Sequence, residues 1–90
     1  MLPSHRTPTH PGEILLEEFL KPRKMTQIEL ADRLKVSVQR VNTLINEKRG
    51  ITPETALLLA QVFGTSPEFW MNLQSSHDLY LAQSKLRRAA

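Results

Sequence analysis

The sequence predicts an all-α fold of five helices, and three observations carry that prediction. Five stretches place apolar residues at helical spacing, a capping signal precedes each of them, and no stretch reads convincingly as a strand. At 90 residues the chain fits one domain, which buries roughly 60 to 65% of the surface its unfolded form exposes. It has no cysteine, so helix packing or dimerisation must supply what disulfides or thiolate metal sites would have supplied, and a reducing, cytoplasmic setting fits. Twelve Lys and Arg against 9 Asp and Glu leave a net charge of +3 and a pI near 9.7, which favours a polyanionic partner without identifying it. Met1 to Ser4 hold no apolar leader core, and the longest apolar run, Ala56 to Ala60, is far shorter than the ~18 residues of a membrane span. The expectation is a soluble, unexported protein with no membrane partner.

Residues 1–9, with Pro3, Pro8, Ser4 and His5, have little to bury and are expected to form a flexible arm. The first helix opens at His10-Pro11-Gly12-Glu13, where proline suits the first helical position and Glu13 the free amides. It should run to about Leu20, with Ile14, Leu15 and Phe19 on an apolar face, and Pro22 should keep it from continuing far. Thr26-Gln27-Ile28-Glu29 is a capping box that starts the second helix, whose buried side is Ile28, Leu30, Ala31 and Leu34. After Lys35-Val36, Ser37 caps the third helix. There Val41, Leu44 and Ile45 face inward and Gln39, Asn42, Thr43 and Asn46 face outward. A basic loop, Glu47-Lys48-Arg49, ends at Gly50, and Thr52-Pro53-Glu54 opens the fourth helix. That helix is apolar nearly all round, as a central helix enclosed by its neighbours would be. Gly64 stops it, and Ser66-Pro67-Glu68 begins the fifth, which carries Phe69, Trp70, Leu73, Leu79, Tyr80 and Leu81. Residues 10–84 are read as the domain, closing with a dimerisation helix, and residues 85–90 as a basic tail.

Residues 26–46 then form two short helices joined by a tight turn, with small Ala31 in the first and Val41 and Leu44 in the second. A helix-turn-helix needs this packing, because a larger residue at the crossing would push the helices apart and misplace the second one. The plainer reading is an ordinary helical hairpin.

Gln27, Ala31, Leu34, Val36, Val41 and Leu44 resemble the signature of lambda-repressor-like, or XRE-type, regulators. Three further blocks are similar to the HigA/VapI-type antitoxins: His10 to Leu15, Arg49 to Thr52, and Gly64 to Gln74. The resemblance implies a five-helix lambda-repressor-like DNA-binding domain and a homodimer that represses its own operon. It also implies neutralisation of a co-encoded HigB-type toxin, an mRNA-cleaving ribonuclease. One position departs from the pattern: the family's turn usually carries glycine where this chain has Lys35, and lysine at positive φ costs roughly 1 kcal/mol.

A recognition helix offers its N-terminal and outward side chains to base edges, amides suiting adenine and arginine suiting guanine. Gln39, Arg40, Thr43 and Asn46 are therefore the expected base readers. Gln27 resembles the residue that grips a phosphate in this fold, and Ser37, Lys48 and Arg49 are the other expected backbone contacts. The plainer reading makes all of these solvated surface groups. Phe69 and Trp70 read either as a dimer contact or as the lid of the core, with core the favoured reading for Trp70. Leu73, Leu79, Tyr80 and Leu86 give the last helix more apolar surface than one-sided packing needs, which points to a two-fold dimer. Such a dimer sets its recognition helices about 34 Å apart on a palindromic site. No residues are assigned to the toxin-facing surface.

Catalysis has only His5, His10 and His77 with Glu13, Glu17 and Glu18 to draw on, and neither a metal-ligand pair, a nucleophile elbow nor a phosphate-cradling loop is present. The chain is read as a non-enzyme with no cofactor, metal or small-molecule substrate, and His10 as a helix cap or surface group. The alternative that keeps the fold is a solitary XRE-type regulator without a toxin partner, which the neighbouring reading frame would discriminate.

Overall fold

The computed structural model describes residues 9–89, so the expected arm over 1–9 lies outside the described residues except for Thr9. The described residues form five helices and no strand. In the first, α1, Pro11–Ile14 is α-helical, Leu15–Leu20 winds as wider π turns and Lys21–Arg23 returns to α geometry, the segments abutting without a break. His10 caps it, with Nδ1 accepting from the Gly12 N–H at 2.9 Å. The helix thus passes Leu20 and takes Pro22 inside its last turn. In a regular α-helix the proline ring would meet the Glu18 carbonyl, and the wider turn, in which the Lys21 N–H reaches back to the Leu16 carbonyl, relieves that clash. Lys24, left-handed at φ 53°, ends it.

Helix α2 is Gln27–Leu34, and both arms of its capping box are present: Glu29 N–H to Thr26 Oγ1 at 3.0 Å and Thr26 N–H to Glu29 Oε1 at 2.8 Å. Leu30, Ala31 and Leu34 are buried as expected, but Ile28 is 72% exposed. It stands two residues before Leu30, a spacing that puts it across the helix from that side chain. Lys35 takes the left-handed conformation at φ 60°, so lysine does sit where glycine would be unstrained. Helix α3, Val38–Ile45, is capped by Ser37 and buries Val41, Leu44 and Ile45.

Helix α4 is Pro53–Phe63, begun by Thr52 and ended by left-handed Gly64. It is not enclosed all round. Thr55, Ala56 and Leu59 are buried while Leu57 is 56% exposed, because so small a domain has too few neighbours to cover every side. Helix α5, Pro67–Ala89, includes residues 85–89 of the basic tail as its final turn. Trp70, with 0% exposure, is among the largest fully buried side chains of a core that also holds Leu15, Leu20, Leu30, Val41 and Leu59. Its indole N–H donates to Thr65 Oγ1 at 2.7 Å, so the ring is sealed in without an orphaned donor. Phe19, Phe63 and Phe69 extend an aromatic cluster from it, with centroids 5.0–6.1 Å apart. Among the described residues no helix is long and apolar enough to cross a membrane.

Candidate nucleic-acid interface

The placement of α3 follows from two small residues. Ala31, 5% exposed, lets α2 and α3 cross closely. Gly12 lets the start of α1 press on the far end of α3, since a Cβ on Gly12 would overlap the Leu44 carbonyl oxygen. With its apolar side fixed on α1 and α2, α3 turns its amide-rich side to solvent.

The N-terminal half of α3 borders an open concavity of about 350 Å³ lined by Ser37, Gln39, Arg40, Thr43 and Arg49. All five are among the expected contact residues. Gln39 and Arg49 are exposed, while Arg40 and Thr43 are half-buried and already engaged within the protein. Arg40 Nη2 donates to Thr55 Oγ1 at 3.2 Å and lies 3.8 Å from Glu54 Oε1, so the guanidinium is held against the start of α4. Thr43 Oγ1 donates to the Arg40 carbonyl at 3.0 Å. Ser37 Oγ accepts from the Arg40 N–H at 3.1 Å, and is occupied as a cap.

Asn46 and Gln27 stand outside that concavity and are joined by a residue to which sequence reasoning gave no role. Asn46 Nδ2 donates to Asn42 Oδ1, and Asn42 Nδ2 donates to Gln27 Oε1, each at 3.1 Å. The chain of amides fixes which end of Gln27 faces outward: with Oε1 occupied, its NH2 group is left to donate, as a phosphate contact requires. The i, i+4 spacing of Asn42 and Asn46 was a visible signal for half of this ladder. Thr55 and Glu54, the partners of Arg40, had none. Lys48 is exposed and, with Arg49, lines a second cleft beside His10, Glu47, His77 and Asp78.

Two groups here are electrostatically tuned. Burial, followed by the charge of neighbouring His77, holds the His10 imidazole below its ordinary pKa, which suits a ring whose Nδ1 must keep a lone pair for Gly12. The hydrogen bonds from the backbone and side chain of Thr26 hold Glu29 below the usual carboxylate value. Among the described residues no group of three or more His, Asp or Glu gathers as a metal site. Of the expected dimer residues, Leu79 and Leu86 are 60% and 70% exposed, while Leu73 and Tyr80 are half-buried.

The helix-turn-helix family profile matches residues 16–70. The chain is 47% identical over 74 residues to virulence-associated protein I of Dichelobacter nodosus, covering 82% of this chain and 68% of that protein. It is 36% identical over 90 residues to antitoxin HigA-1 of Vibrio cholerae, covering 100% of this chain and 85% of that one. The solved structure of Pseudomonas aeruginosa antitoxin HigA with the higBA promoter superposes with a TM-score of 0.87 at 44% identity, over 91% of this chain and 89% of that one. On these matches the chain belongs to the XRE-type helix-turn-helix family, in the group that includes the HigA antitoxins and virulence-associated protein I.

Proposed function

We propose that this chain is the antitoxin of a type II toxin–antitoxin pair: a dimeric, cytoplasmic, sequence-specific repressor of its own operon that also neutralises a HigB-type mRNA-cleaving toxin. The observation that carries the DNA-binding part is the concavity in front of α3, where two arginines and a glutamine side chain converge on a helix end. Gln39, Arg40, Thr43 and Asn46 select bases, with Arg40 pre-set by Thr55 so that less freedom is lost on docking. Gln27, Ser37, Lys48 and Arg49 fix register on phosphates. Leu73, Leu79, Tyr80 and Leu86 join two copies, and the two recognition helices reach successive major grooves of a palindrome. Relatives whose names state an antitoxin, one of them solved with its promoter, support this reading.

The test is a titration of the chain against its own promoter DNA and a scrambled duplex. A preference of at least ~10³-fold, falling steeply with salt, is expected. Gln39→Ala should cost about 1 to 3 kcal/mol at one base pair and leave the other positions unchanged. Equal binding to both duplexes overturns the operator reading. Growth rescue on co-expression with the product of the neighbouring reading frame tests the antitoxin part, and no rescue leaves a solitary regulator.

A further inference from the structure

The three sequence blocks that flank the helix-turn-helix meet at one place behind α3. From the last block, Gln74 on α5 presents Oε1 to the Ile51 N–H at 2.6 Å. Gly50 lies so close that a Cβ there would stand 2.7 Å from the same oxygen. Gln74 Nε2 donates to Asp78 Oδ1 at 2.9 Å, which sets the direction in which the amide faces. On the same side of α5, His77 packs edge-on against His10 at 4.9 Å, and His10 caps the helix start that lies against Leu44 of α3. The loop between α3 and α4 is thus held at both ends. Its beginning hangs from α3, through Glu47 N–H to the Leu44 carbonyl at 3.1 Å and Lys48 N–H to the Thr43 carbonyl at 2.9 Å. At its end the Ile51 N–H is bonded by Gln74, next to the buried Ile51 side chain and to Thr52, which caps α4. Between the two anchors stand Lys48 and Arg49, exposed.

We propose that Gln74 is a positioning residue for DNA binding: it pins the 47–51 loop so that Lys48 and Arg49 meet the phosphate backbone in register. The inference rests on the operator-binding reading above and assigns Gln74 no contact with DNA. A loop ordered when the chain folds loses less freedom on docking than one ordered by the phosphates themselves.

Two readouts test it, one of them independent of DNA. In the free protein, Gln74→Ala is expected to speed hydrogen exchange of the Ile51 amide at least about tenfold while leaving the melting temperature within a few degrees. On operator DNA it should lower affinity about tenfold and make the slope of log K against log salt shallower by about 1. Gln74→Glu combined with Asp78→Asn keeps an acceptor for Ile51, reverses the bond within the pair and conserves net charge, and it should restore both slope and exchange. If Gln74→Ala does not fold, Gly50→Ala decides in its place, because its Cβ displaces the Gln74 amide while every hydrogen-bonding group remains. Unchanged Ile51 exchange overturns the proposal, and so does faster exchange with an unchanged salt slope. A wild-type chain with no operator preference would sink the operator reading instead, while the exchange measurement still decides whether Gln74 holds the loop.

Discussion

His10 shows how a single protonation can be tied to shape. Its Nδ1 accepts from the Gly12 N–H, so adding a proton to that nitrogen removes the cap of α1. Burial and the nearby charge of His77 oppose that proton, Glu47 and Asp78 favour it, and Lys48 and Arg49 line the same cleft. The net direction is a pKa below the usual 6.5, so the unfolded chain takes up its proton at a higher pH than the folded one does. The stability that neutral His10 contributes is therefore complete above pH 6.5 and is lost as pH falls from there through the folded value. Thermal melts of the wild type should drop between pH 7 and pH 5 more steeply than those of His10→Asn, whose side chain caps a helix without titrating in that range. Parallel pH profiles for the two proteins would show that the imidazole is not the sensor.

At the scale of elements, the crossing of α2 and α3 controls where the reading surface sits. Ala31→Leu forces extra volume into a closed contact and should cost about 1 to 3 kcal/mol, seen in the denaturant midpoint. Because it tilts the whole of α3, it should weaken binding to every operator variant by a similar factor rather than alter preference at one base pair. The starts of these elements were legible because a cap is a local matter: Thr26, Ser37, Thr52 and Ser66 each bond an amide three residues on. Trp70 was legible as core for its size and position. The exposure of Ile28 and Leu57 was not, since it depends on which faces the neighbours happen to cover. Nor was the extension of α1 through Pro22, which relies on a π turn that no propensity announces. In the candidate site, the exposure of Gln39, Asn42 and Asn46 could be read from spacing alone, whereas Thr43, read as outward too, is half-buried. The internal partners of the site residues could not be read, because the bond from Arg40 to Thr55 spans 15 residues and that from Gln74 to Ile51 spans 23.

At the scale of the molecule, the 45 × 27 × 20 Å outline is drawn out by α5, whose 23 residues reach about 34 Å. Its outer half carries Leu79, Leu81 and Leu86 at 60%, 49% and 70% exposure. If Leu79 and Leu86 join two copies together with Leu73 and Tyr80, as proposed, Leu79→Glu with Leu86→Glu should give a monomer in sedimentation and bind a half-site as well as it binds the full palindrome. A dimer that survives both changes would place the interface elsewhere. The deepest point of the molecule has a different use. The chain has one tryptophan, and Trp70 is wholly enclosed with its indole N–H held by Thr65. Its emission should therefore be blue-shifted in the native state, and should move to the red only when the union of α1, α4 and α5 comes apart. The fluorescence of this protein is thus a built-in gauge of global unfolding, blind to events on the α3 surface, and a titration with DNA that changes its colour would report a rearranged core.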